Sequence, residues 1–263
     1  MESAFRATYT GKARPTRRPP VPNPTAAMLV IGDEILSGRT RDSNTHYLAG
    51  ELTRHGIDLR EVRVVADDHA AIVAAVNALR STYDHVFTSG GIGPTHDDIT
   101  ADAIAAAFGT PIGIRADARA LLQAHYDRQG TVLNEARLRM ARIPDGATLI
   151  DNPVSTAPGF TLGNVHVMAG VPQVFEAMVA SILPTLTGGA PLLSQSLRIN
   201  RGEGDIAGPL AALAARYPHL SMGSYPFVRD GIYGANIVIR GTDGASIDAA
   251  IHALAALFPG DTA

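Results

Sequence analysis

The sequence has no cysteine, and its single lysine is Lys12. Without thiols there are no disulfide staples, no thiolate metal site and no cysteine nucleophile, a usage that fits a reducing, cytoplasmic setting. One lysine near the amino terminus excludes a Schiff base or a P-loop built on the core. No apolar run approaches the roughly 18 residues that a membrane span requires. Charge of one sign is also scarce. The 22 basic and 25 acidic residues leave a formal net charge of -3, too little for a global field that collects nucleic acid or anionic lipid. HExxH, G-x-S-x-G and GxxxxGK[ST] do not occur, and the nine histidines lack metal-ligand spacing.

What is present is 263 residues, 46% hydrophobic and 18% charged, enough for one large domain with a smaller one beside it. Residues 1–25 hold five basic residues against one acidic, and five prolines. They read as a disordered tail, with an Arg-rich transit peptide as the sharper alternative, which the prolines oppose. From Ala26 apolar runs alternate with helical periodicity, the pattern of βαβ units around a parallel sheet. Strands are expected at 26–31, 59–65 and 85–89, with short ones near Thr148, Phe160 and Val165. Helices are expected at 45–55, 70–80, 98–108, 115–128, 134–142 and 172–186. The stretch TGGAP at 187–191 marks a boundary. Residues 194–260 read as a small α+β module in the order β, α, β, β, α, with strands at 197–200, 220–224 and 234–240. Its helices are expected at 208–216 and 246–258, and its near balance of basic and acidic residues argues against an RNA reader.

The residues that can carry chemistry follow the strands. GGIGPTHDDIT, residues 90–100, lies between an apolar strand and a helix, where open α/β sheets bind ligands. Gly90, Gly91 and Gly93 let the backbone approach an anion closely, as a phosphate loop does. Asp97 and Asp98 would repel that phosphate unless a divalent cation sits between them. Both also suit a helix start, and Thr95 with Asp98 mimics a capping box. Asp33 and Glu34 follow the first strand, and Asp67 and Asp68 the second. Asp42 and Asn44 open a helix and suit capping as well as ligand contact, whereas Asp68 reads as a cap. Thr100 and His96 complete the cluster, His96 as a substrate contact or proton carrier. A dinucleotide fingerprint fails because His96 stands where its third glycine belongs. The other glycine cluster, Gly202, Gly204 and Gly208, is followed by Pro209 and reads as a decoy.

The set GDEILSGRTRDSN, VVADD, SGGIGPTHDDIT, NEARLRMARIP, TAPGF and AGVPQVFEAM resembles the amino-terminal domain of the CinA (competence/damage-inducible protein A) family. That domain belongs to the MoaB/Mog-like molybdopterin-binding superfamily and is related to a domain of eukaryotic FAD synthase. The likeness runs through 26–186, and SYPFVRDG from Ser224 resembles the KH-like module that follows in CinA proteins. The amidase domain of full-length CinA is missing, so its deamidation is not carried over.

The resemblance implies an α/β fold, a three-layer αβα domain with a mostly parallel sheet followed by a small α+β, KH-like domain. It implies a pocket for a nucleotide or pterin and a homo-oligomer, with neither nucleic acid nor membrane as a partner. Superfamily acidic positions fall on Asp67 and Asp98, phosphate-loop positions on Gly90, Gly91, Gly93 and Thr95, and first-strand positions on Asp33 and Glu34. The doubled Asp97-Asp98 matches the CinA-type group, whose domains resemble metal-dependent hydrolases of ADP-ribose or FAD-like diphosphates. In that reading Asp98, Asp67, Asp33 and Glu34 hold Mg, Mn or Co, and Asp97 assists. Molybdopterin or nucleotide binding, or adenylyl transfer in molybdenum cofactor synthesis, is the alternative.

Overall fold

The computed structural model describes residues 22–229 and 231–262. Most of the proline-rich tail lies outside the described residues. Its last residues belong to the fold. Asn23 Nδ2 donates to Asp58 Oδ1 and to the Ala190 carbonyl, both at 3.1 Å, and the Thr25 hydroxyl donates to Asp84 Oδ2 at 2.7 Å.

The first domain runs β1 (Thr25–Ile31), α1 (Asp33–Leu36), α2 (Asn44–Arg54), β2 (Asp58–Val65), α3 (His69–Arg80), β3 (His85–Ser89), α4 (Thr100–Phe108), β4 (Ile112–Ile114) and α5 (Ala116–Arg128). It continues through α6 (Glu135–Leu138), a 3-10 turn (Arg139–Ala141), β5 (Arg142–Pro144), β6 (Thr148–Ile150), β7 (Gly159–Leu162), β8 (Val165–Met168) and α7 (Pro172–Ile182). The main sheet has the order β2-β1-β3-β8-β7-β6. Its first three pairings are parallel and its last two antiparallel.

β1 is apolar at every position after Thr25 because helices cover both faces of the sheet. Ala27, Leu29 and Ile31 pack against Ile72, Val76 and Leu79 of α3, Ala103 and Ile104 of α4, and Leu122 of α5. Ala26, Met28 and Val30 pack against Leu48 and Leu52 of α2 and Phe175, Met178 and Val179 of α7. The three-layer αβα arrangement follows from this alternation. Each fully buried side chain of Leu29's size contributes about 1.5–3 kcal/mol of transfer free energy. Asp68 caps α3 by accepting from Ala71 N at 2.8 Å, and Gly109, at φ 63°, ends α4 in the left-handed region.

Two helix expectations are corrected. Residues 134–142 do not form one helix, because α6 stops at Leu138 and Arg142 enters a strand paired with β4. Pro144 could not have continued the helix, and the pairing satisfies backbone groups on both short strands. Likewise α4 starts at Thr100, which leaves Asp97 and Asp98 in the loop before it.

The second module runs β9 (Leu193–Ile199), α8 (Glu203–Arg216), β10 (Ser221–Arg229), β11 (Ile232–Gly241) and α9 (Gly244–Leu257), with an antiparallel sheet of order β10-β11-β9. Ile206, Leu213, Ile237, Ile239, Ile247 and Leu254 form its core between one sheet face and two helices. Helix α8 begins five residues before the expected 208, with Pro209 inside it. Gly208 lacks the Cβ that would add a further clash with the proline ring in helical conformation. The linker glycines lie hard against the first domain, where a Cβ on Gly188 would stand 2.0 Å from the His55 carbonyl oxygen. Among the described residues no helix is long and apolar enough to cross a membrane.

Strand register decides where chemistry can occur. Ile31 is level with Val65, Val30 with Ser89, and Ser89 with Met168. The four parallel strands therefore release Gly32, Ala66, Gly90 and Ala169 along one edge.

Candidate functional site

At that edge lies a cleft of about 500 Å³. Its acidic wall is Glu34, Asp67, Asp97 and Asp98, its floor the loop at 90–93, and its far wall the first turn of α7 with Asn152 and Ser155. Three strand ends thus bring their carboxylates to one cavity.

The glycine loop is held from both sides. Gly90 N–H donates to the Met168 carbonyl at 3.1 Å, while the buried Thr100 donates its N–H to Gly91 O and its hydroxyl to Gly90 O, both at 2.9 Å. Gly90 and Gly91 have φ of 110° and 70°. A Cβ on Gly90 would lie 2.1 Å from the Ile31 carbonyl oxygen, and one on Gly91 equally close to Thr100 Oγ1. Among the described residues the N–H groups of Gly91, Ile92 and Gly93 donate to no acceptor. Three successive free amides on a cavity wall form a nest for an anion.

Asp98 is not a helix cap. Its Oδ2 accepts the Thr95 N–H at 2.7 Å and the Thr95 hydroxyl at 2.5 Å, closing the loop's second half on itself. Asp67 Oδ2 accepts the Asp33 N–H at 2.9 Å, tying the second strand end to the first. Burial pushes the Asp67 carboxyl above its usual range, and the charges of Asp33, Glu34 and Asp97 push it the same way against that hydrogen bond.

Other expected residues sit elsewhere in the network. Asp33 supplies its backbone and is exposed outside the lining. Asp42 Oδ1 accepts from Asn44 N and Thr45 N at the start of α2. Asn44 is buried beside the cleft, Thr100 is buried beneath the loop, and His96 points to solvent with its side chain 98% exposed, Nδ1 3.8 Å from Asp97. The sequence reading missed Asn152, Ser155 and Arg139. Asn152 Oδ1 accepts from Val154 N and Ser155 N, building the turn that presents Ser155, and its Asn-Pro dipeptide was the available signal. Arg139 Nη2 donates to the Asp98 carbonyl at 3.4 Å from beneath the loop. No local pattern distinguished it from a helix surface residue.

Whether these residues suit a divalent cation rests on the donors. They are all carboxylate oxygens, as hard cations prefer, and among the described residues no basic side chain lines the cleft. Among the described residues no three His, Asp or Glu side chains stand close enough together to hold a metal ion. The set fits a magnesium-like ion, which takes one or two carboxylates and completes its shell with waters and substrate phosphates.

Residues 27–188 match the family described as a probable molybdopterin binding domain, and residues 191–263 match the middle domain of FAD synthase. A protein named probable FAD synthase from Caenorhabditis briggsae is 31% identical over 285 residues, covering 99% of this chain and 53% of its own. The chain thus spans about half the length of the curated relatives it matches. A CinA-like protein from Citrifermentans bemidjiense is 39% identical, over 62% of this chain and 40% of the relative. Among solved structures, the protein CinA from Thermoplasma acidophilum, titled as of unknown function, superposes with TM-score 0.57 at 36% identity. That likeness covers 61% of this chain and 96% of that one. The chain belongs to the MoaB/Mog-like family of probable molybdopterin-binding domains, in its CinA-like form, and carries a FAD synthase middle domain behind it.

Proposed function

We propose that the cleft binds a nucleotide diphosphate of the FAD or ADP-ribose kind and, with a divalent cation, hydrolyses its phosphoanhydride. The observation that carries this reading is three unbonded loop amides and four carboxylates in the lining of one cleft to which, among the described residues, no basic side chain contributes. Amides alone suit a phosphate, but four carboxylates would expel it unless a cation balances them. The FAD synthase names of the relatives favour a nucleotide of this class.

One or two of the carboxylates of Glu34, Asp67, Asp97 and Asp98 would hold the cation, with waters and the substrate's phosphates completing its shell and Asp33 at the margin. When bound, it supplies charge neutralisation and polarises the diphosphate. The N–H groups of Gly91, Ile92 and Gly93 bind the phosphoryl oxygens and stabilise the charge that develops there. Asp98, by fixing Thr95, keeps the loop in shape. Asp67, whose raised pKa suits it to proton transfer, takes the proton of the attacking water. The water oxygen bonds to phosphorus, the bridging P–O bond breaks, and a nucleoside monophosphate leaves with the electron pair. A second reading, retention of pterin or nucleotide or adenylyl transfer without hydrolysis, is favoured by one observation: among the described residues no three acidic or histidine side chains stand close enough together to hold a metal ion.

Incubation with FAD, ADP-ribose or NAD and magnesium, manganese or cobalt tests this. Chromatography is expected to show AMP only with wild type and metal, and Asp98→Asn is expected to lose at least about a hundredfold in rate. Retained nucleotide with no AMP from any substrate would overturn hydrolysis in favour of binding.

A further inference from the structure

The cleft has a side pocket that the diphosphate reading does not use. It lies where β1, β3 and the start of α2 meet, and it adjoins the main cavity, with Ile31, Glu34, Thr40, Gly170 and Pro172 lining both. At its inner end sits Asn44, 6% exposed. The Asn44 Nδ2 group donates to Ser89 Oγ and to the Gly170 carbonyl, both at 2.8 Å. These two bonds fix the amide plane, so Oδ1 cannot turn away, yet Oδ1 is buried with no partner. Ser89, 2% exposed, accepts from Asn44, and its own hydroxyl donates to nothing among the described residues. Buried polar groups are nearly always paired, and an unpaired acceptor marks where something from outside completes the set.

Size and charge narrow the occupant. The pocket holds about 50 Å³, whereas a cavity that takes a benzene-sized ring is roughly 150 Å³. A hydroxyl or two fit, and a base or flavin ring does not. Asn44 and Ser89 are neutral, and the charged residues of the lining are Glu34, Asp42 and the exposed Arg41, so two carboxylates stand against one guanidinium and a phosphate has no buried counter-charge there. One fixed acceptor beside one free hydroxyl matches a vicinal diol, which donates through one oxygen and accepts through the other.

We infer that this pocket reads the ribose diol of the bound nucleotide, with Asn44 Oδ1 accepting from one sugar hydroxyl and Ser89 Oγ donating to its neighbour. The inference rests on the nucleotide reading of the main cleft and makes the site selective for ribonucleotides. Calorimetric titration of the whole chain with ADP, 2′-deoxy-ADP and 3′-deoxy-ADP in magnesium separates the two. At least one deoxy form is expected to bind about tenfold more weakly than ADP. Asn44→Ala is expected to bring that ratio close to one. A purely structural role would weaken all three ligands equally. Wild-type affinities equal within about twofold would leave the pocket a water site and overturn the inference while the nucleotide reading stands. If the alanine variant does not fold, the wild-type ratio decides. If none of the three ligands binds, the nucleotide reading fails and this inference with it.

Discussion

The segments at 90–93 and 202–208 each carry three glycines, and they do opposite things. In the first domain a Cβ on Gly90, Gly91 or Gly93 would collide with Ile31 O, Thr100 Oγ1 or Asp98 Oδ2, while one on Gly202, Gly204 or Gly208 would meet nothing within 4 Å beyond its chain neighbours and the helix's own backbone. The first set exists so that a backbone can pass through a crowded place. The second occupies the exposed start of a helix, where a side chain has room at Gly202 and Gly204 and only the neighbouring Pro209 stands against one at Gly208. The same contrast runs through the cores. Among the described residues the buried polar ones, Asn44, Thr88, Ser89, Thr100, Asn152 and His166, all lie in the first domain, while the core cluster of the second module is apolar, with the half-buried Ser224 beside it holding one buried, unpaired hydroxyl. Buried polarity is concentrated in the domain that carries the candidate cleft.

The most damaging way to break this comparison is Gly90→Ala. A Cβ 2.1 Å from a backbone oxygen at φ 110° adds a steric clash to a left-handed backbone penalty of about 1–3 kcal/mol. Denaturant melts are expected to show a loss above about 3 kcal/mol, or no folded protein at all. A loss below about 1 kcal/mol would mean that the loop is looser than its contacts indicate.

How much of this was legible beforehand follows the same division. Strand ends carrying Asp33, Glu34 and Asp67, and the glycine loop ahead of Asp98, were readable because βαβ order fixes which edge they share. What could not be read was which carboxylate turns inward. Asp33 contributes its N–H and leaves its side chain in solvent, while Glu34 beside it lines the cleft, a difference set by one turn of α1. The short pair β4 and β5 left no periodic signal over three residues each. Pro209 hid the first turn of α8 because the proline rule is stronger than the glycine exception that relaxes it. Arg139 and Asn152 act through contacts made 41 residues away or by a local turn, and neither is visible as spacing.

His166 tests the buried polarity through pH. Burial, with His85 alongside, pushes its imidazole down to about 3 from an ordinary 6.5. The unfolded chain therefore binds a proton between pH 6.5 and 3 that the folded one refuses, so stability is intact above pH 6.5 and falls as pH drops through this window. The loss is at most a few kcal/mol. His166→Gln keeps polar atoms near Thr161 and His85 and is expected to flatten the decline in melting temperature on acidification. An unchanged acid profile would assign that sensitivity to the carboxylates.

Asp67→Asn probes the acidic wall with a smaller effect of opposite sign. The asparagine oxygen can still accept the Asp33 N–H, while the repulsion from Asp33, Glu34 and Asp97 disappears. Because the wild-type carboxyl is raised, its cost is absent at low pH, where it is protonated, and grows as pH rises through its folded pKa. The variant is expected to melt above wild type at pH 7, with the gap closing at pH 4, while hydrolysis is lost. A lower melting temperature at pH 7 would make Asp67 a structural anchor.

The smallest effect comes from the second module and completes the comparison. Gly204 is exposed on the first turn of α8, has an ordinary negative φ and meets nothing within 4 Å. Alanine there restricts the unfolded chain without straining the folded one, so Gly204→Ala is expected to stabilise by about 0.4–1 kcal/mol. Gly208 is the poorer choice, because Pro209 follows it and a Cβ would meet the proline ring. Nucleotide binding at the first domain's cleft should be unchanged in the Gly204 variant. A destabilised Gly204→Ala would show that this segment also relies on backbone freedom, and the difference between the two glycine clusters would then be one of degree.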